Sequence, residues 1–172
     1  MHFLSKYISK QDKPYVIATI LLGTLAHFLY ELSGNLSIVA LFCPINESSW
    51  EHLKLLYFPF LLLTVFYYYK NQPPLSRFFY CRFSGVVCGM AFILISYYTY
   101  TGIIGNHFLI LDILIFIISV ILSFYMANLF YHEQVKTPSQ TFVFALWIIG
   151  SILFFLFTCF PPDIPLFWDG VN

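Results

Sequence analysis

Charge is scarce in this chain. Only 9% of its 172 residues are Asp, Glu, Lys or Arg, eight of each sign, and the formal net charge is zero. A basic footprint for nucleic acid is therefore absent, and no nucleic-acid partner is expected. Cysteine is also sparse. Cys43, Cys81, Cys88 and Cys159 lack the CxxC spacing of a zinc or redox motif and read as mostly structural, although Cys43 and Cys159 are placed near one another in depth and could form a disulfide. No Gly/Ser-rich linker, low-complexity tract or convincing repeat divides the sequence, so residues 1–172 are expected to form one integral membrane domain.

What fills the chain is apolar. Hydrophobic residues make up 60% and aromatics 22%, with 21 Phe, 13 Tyr and 3 Trp, well above the needs of a soluble core of this size. Stretches at about 14–32, 50–69, 83–100, 108–131 and 140–160 come close to the ~20 apolar residues that a helix needs to cross a ~30 Å hydrocarbon layer. The expected fold class is all-α, a polytopic membrane helical bundle of about five transmembrane helices. Lysines before the first run resemble a signal peptide, but no small-x-small cleavage site follows, and His27 and Glu31 come next, so this span is expected to be retained.

The basic residues set an orientation. Lys6, Lys10 and Lys13 precede the first span, Lys70, Arg77 and Arg82 fall between the second and third, and Lys136 lies between the fourth and fifth. The positive-inside rule then puts the N-terminus in the cytoplasm and the C-terminus outside, with Lys54 as the one exception. Glu31, Glu47, Glu51, Asp112, Asp163 and Asp169 collect at the outer face, with His27, His52 and His107.

That face carries the chemistry-bearing residues. In "AHFLYE", His27 and Glu31 are four apart and share one helix face. In "PINESSWEHLK", Pro44 disfavours helix before it, Asn46 or Ser48 can cap, and Ser48-x-x-Glu51 has capping-box spacing. Lys54 can pair with Glu51, and a helix starting as early as Asn46 would put Glu47 on the same face; His52 points about 100° away. In "NHFLILD", His107 sits at the rim and Asp112 interrupts an apolar helix, so Asp112 needs a partner such as His27, His52, Lys54 or a cation. "FPPDIPLFWD" could fold back as a lid carrying Asp163 and Asp169, but an anchor at the headgroups through Phe167 and Trp168 is the simpler reading.

Together His27, Glu31, Glu47, Glu51, His52, His107 and Asp112 could supply a mixed N/O site for a divalent metal such as zinc, with a position open for water. The spacing is not that of an HExxH zincin. Without a metal, Glu51 or Asp112 could work with His52 as an acid/base pair. Asn46, Ser48 and Lys54 read as structural. So do Gly85-x-x-x-Gly89, which fits close helix packing, and Pro59, which should bend the second span.

"HFLYELSGN", "NESSWEHLK" within "CPINESSWEHLKLLYFP", and the terminal "PPDIPLFWD" resemble a family of small, multi-spanning bacterial membrane proteins classed as a domain of unknown function. The resemblance implies a protein of the bacterial cytoplasmic membrane and carries over no catalytic residue. Three functions then compete. An enzyme would use the polar site on a lipid or envelope precursor. A structural or partner-binding protein would use the motif as a helix cap and buried ion-pair network. A small ion or solute carrier comes third, because the inner half offers few polar residues beyond Ser84, Ser123 and Asn128 and no inverted repeat is visible.

Overall fold

A computed structural model describes residues 10–169. Among them lie five long helices and one short one: α1 (Lys13–Leu32), α2 (Ser37–Ala40), α3 (Ser49–Asn71), α4 (Leu75–Ile104), α5 (Leu109–His132) and α6 (Gln140–Cys159), followed by a 3-10 turn at Pro165–Phe167. The chain is a helical bundle, as its composition requires. By length and composition α1, α4, α5 and α6 are apolar enough to cross a membrane. The long helix outside that set is α3, which carries the motif.

The difference has a physical reason. Helix α3 buries most of its first half, from Glu51 and Leu53 through Phe60, and packs against α1, α4 and α5. Shielded by its neighbours, it can carry ionised groups that a lipid-facing helix could not. Its core residues Leu56, Tyr57 and Phe60 meet Val86, Val120, Phe124, Val143, Trp147 and Phe154 from α4, α5 and α6. Tyr57 donates from its hydroxyl to the Trp147 carbonyl at 2.8 Å, and the Trp147 indole donates to the Phe79 carbonyl at 3.1 Å, so the aromatic core leaves neither polar tip unsatisfied.

Small residues set the helix spacing. Side chains at Gly85 or Gly89 would collide with Ser123, Ser119 and Ala127 of α5, so the Gly-x-x-x-Gly pair does seat α4 against α5. Gly23 does the same for α1: a Cβ there would lie 2.5 Å from the Leu55 carbonyl oxygen and 2.6 Å from the Phe116 ring. Pro59 sits inside α3 and has no N–H to give that carbonyl. The freed Leu55 oxygen thus faces Gly23, whose missing Cβ lets it come close. Four residues further along α1, the same approach brings His27 against α3.

Two boundaries differ from the sequence-based expectation. Helix α4 starts at Leu75 rather than near 83, so Arg77 and Arg82 lie on a helix and not in a loop. Arg82 is buried and pairs with buried Asp12 at 2.9 Å, while Asn128 donates to the other Asp12 oxygen at 2.9 Å. Its guanidinium sits over the rings of Phe124, Tyr67 and Phe78, a cation–π setting that offsets its desolvation. Helix α3 starts at Ser49, which leaves Glu47 outside the helix. Cys43 and Cys159 are free thiols, so the disulfide does not form.

Candidate functional site

The first turn of α3 divides the motif between two environments. On one side, Ser48 is the N-cap, and its hydroxyl accepts from the Glu51 N–H at 3.3 Å. The capping box is only half made, because the Glu51 carboxylate turns instead to the Ile45 N–H at 3.1 Å, and Ser48 gives its own N–H to the Asn46 side chain at 3.1 Å. Glu51 also takes 2.7 Å from the Lys54 ammonium and 3.0 Å from the Thr158 hydroxyl. Lys54 spends its other donors on the carbonyls of Ala40 at 2.9 Å and Cys43 at 3.5 Å. Lys54 is 0% and Glu51 3% exposed. Every polar atom of this pair has a partner, as buried charges require. Burial also pushes the Cys43 thiol up, with the Lys54 charge opposing, which keeps it protonated and unreactive.

On the other side, bonding is incomplete. The His52 Nδ1 lies 3.0 Å from the Ser48 carbonyl oxygen. A carbonyl only accepts, so Nδ1 carries the proton, and in the neutral ring Nε2 presents a lone pair. That lone pair faces the Glu47 carboxylate at 3.3 Å. Two acceptors at this distance need a positive charge between them, either a proton or a metal ion. The His27 ring lies 5.3 Å from the His52 ring between centroids, and its Nδ1 is buried with no hydrogen-bond partner. One ligand atom from each of His27, Glu47 and His52 can be chosen so that all three lie within 4.8 Å of one another.

This geometry is close to that of a metal site. Bonds of ~2.0–2.1 Å in a tetrahedral zinc site put ligand atoms ~3.3–3.4 Å apart. The His52–Glu47 separation of 3.3 Å already matches. A backbone carbonyl holding the far nitrogen of His52 is the usual outer-shell partner of a ligating imidazole. Glu47 adds an ionised oxygen: the hydrogen bond from His52 holds its carboxyl below the usual range despite partial desolvation, helped by the charges of His52, His27 and His107.

These residues line a cavity of about 530 Å³. Its polar walls include His27, Glu47, His52, His107, Asp112 and Asp169; Leu55, Ile93, Leu109, Ile115 and Phe116 make the apolar part. Asp112 finds partners that the sequence did not suggest. The Tyr100 hydroxyl donates to one oxygen, and His107 Nδ1 lies 3.3 Å from the other. Tyr100 and Asp112 end adjacent helices joined by a short loop, and the many tyrosines of α4 gave no reason to single one out.

The structure therefore sorts the expected ligands. It brings together His27, Glu47 and His52, sets His107 and Asp112 on another wall of the same cavity, and puts Glu51 with Lys54 in a separate buried pair. Glu31 is exposed at the end of α1 and does not line the cavity. The C-terminal segment folds back rather than only resting at an interface. Phe167 packs on Trp50 and Phe157, Trp168 donates to Asp163 at 2.9 Å, and Asp169 accepts the Glu47 N–H at 2.8 Å.

Fold and site define a class: a helical bundle with membrane-spanning character and a His/carboxylate cavity at one end. Within it, the chain belongs to a family of unknown function, DUF6512, whose family model matches residues 4–172. No curated protein and no solved structure matches it.

Proposed function

We propose that His27, Glu47 and His52 hold a divalent metal ion, zinc first among the candidates for an N₂O ligand set, at the outer face of the bacterial cytoplasmic membrane. Three protein ligands leave a coordination position for water or substrate, the pattern of a catalytic rather than a structural zinc. Held by these three residues, such an ion would supply an activated water and Lewis-acid polarisation of a substrate oxygen. Asp112, held by Tyr100 and His107 on the facing wall, would take and return a proton as general base and acid. The apolar walls suit a lipid-like substrate, so the reading is a metal-dependent enzyme acting on a lipid or an envelope precursor. The observation that carries it is the His52 Nε2 lying 3.3 Å from the Glu47 carboxylate beside an unpartnered His27 nitrogen.

A second reading keeps one specific support. The fully partnered Glu51–Lys54 pair is structural, and the protein as a whole would be a scaffold if the other half of the motif proved the same. Metal content per chain separates the two. Detergent-purified protein should hold close to one zinc, manganese or iron ion, absent from folded His52→Ala and Glu47→Gln variants. Wild-type protein that stays metal-free after equilibration with micromolar zinc would sink the metal centre.

A further inference from the structure

The charge of the cavity limits what can enter it. Its described walls hold three carboxylates, Glu47, Asp112 and Asp169, and three imidazoles, but no Lys or Arg. Lys54, the cation nearest in sequence, is fully buried against Glu51 and the loop carbonyls. Three carboxylates against one divalent ion still leave an excess of negative charge. Sites that handle phosphoryl groups answer the substrate's charge with Arg, Lys or further metal ions, and none of those side chains lines this one.

Resting on the metal-centre reading, we infer that the cavity takes an amphiphile whose reacting group is an uncharged carbonyl, an ester or an amide, rather than a phosphate. An uncharged carbonyl enters without repulsion from Asp112 and Asp169. Negative charge appears on its oxygen only in the transition state, beside the ion, where stabilisation lowers the barrier instead of merely tightening binding. The apolar wall of Leu55, Ile93, Leu109, Ile115 and Phe116 accepts the hydrocarbon part, and the cavity volume of about 530 Å³ suits a ligand of drug-like size.

The step is a hydrolysis and needs no oxidant. Water oxygen bonds to the carbonyl carbon while its proton passes to Asp112. The carbon–oxygen or carbon–nitrogen bond then breaks, its electron pair staying with the leaving alcohol or amine, which takes that proton. A carboxylic acid and an alcohol or amine result.

Zinc-loaded full-length protein in detergent can be titrated with two amphiphiles of the same alkyl chain, one ending in a hydroxamic acid and the other in a phosphonate. The hydroxamic acid should bind at least tenfold more tightly. Asp112→Asn should narrow that ratio by strengthening phosphonate binding, which a purely steric preference would not do. Equal or tighter binding of the phosphonate, or no binding of either probe to metal-replete protein, would overturn the inference and leave the metal centre standing. Failure of wild-type protein to bind zinc would remove both.

Discussion

Two sides of one helix turn show opposite treatments of the same residue types. Glu51 and Lys54 are sealed from solvent, and the carboxylate and ammonium share their remaining bonds with Ile45, Thr158, Ala40 and Cys43. Glu47 and His52 are partly open to a cavity and lie 3.3 Å apart, with room for a proton or a metal ion between them. The sealed pair ties the loop before α3 to the bundle and has nothing left to offer a ligand. The open group has unmet bonding capacity and space beside it. A polar cluster signals function less by its charge than by bonds that remain unmade.

The sharpest way to break that contrast is to remove the ammonium. Lys54→Met leaves Glu51 buried without its countercharge and orphans two loop carbonyls, so it should destabilise the protein by about 3–5 kcal/mol. Adding Glu51→Gln should restore part of that loss, because a neutral amide is cheaper to bury than an unpaired carboxylate. Denaturant or thermal unfolding in detergent measures both. An unaltered midpoint in Lys54→Met would mean that the pair is not structural.

The open side should respond to metal instead. Glu47 has 68% of its side chain exposed, so Glu47→Gln should leave metal-free stability within about 0.5 kcal/mol of wild type. Zinc at ~100 times its dissociation constant should stabilise wild type by about 2.7 kcal/mol. It should do almost nothing for the variant. Equal stabilisation of both proteins would place the ion elsewhere.

Much of the scaffold could be read from the chain, since long apolar runs, Ser48 at a helix start and Gly85-x-x-x-Gly89 are local signals. The pairing of Lys54 with Glu51 and the divergence of His52 also follow from helical spacing. The parts that could not be read are long-range or depend on a few residues of boundary. A helix starting at Ser49 rather than Asn46 frees Glu47 from the face of Glu51 and lets it turn to His52. Arg82 looked like a loop cation until α4 extended back past it, and its partner Asp12 is 70 residues away. Asp169 reaches Glu47 across 122 residues, and no local pattern announces such a contact.

Acidity should separate the two sides further. The Glu47 carboxyl is held low by its bond from His52. A group with a lowered folded pKa keeps its contribution above the unfolded value and loses it only as pH falls through the lower folded one. Glu47 therefore stays ionised from pH 8 to 5, and metal release in that range reports loss of the imidazole ligands, which bind metal only as neutral rings. Occupancy should be full near pH 8 and be lost on acidification while Glu47 is still ionised. A release midpoint near ~4 would point to carboxylate ligands alone.

The smallest effect should come from the tail. Asp169 accepts the Glu47 N–H at 2.8 Å, and a single such bond contributes about 0.5–1.5 kcal/mol. If that energy fixes the direction of Glu47, Asp169→Ala should weaken zinc binding by about 2–10-fold, since ~1.4 kcal/mol corresponds to tenfold. Asp163→Ala supplies the control, because it removes the bond from Trp168 without touching Glu47. Weaker zinc binding in Asp169→Ala alone would make the tail a positioning element for one ligand. Equal loss in both variants would mean that the folded-back segment acts as a whole, through the packing of Phe167 on Trp50, and that the cavity depends on its cover rather than on a single bond.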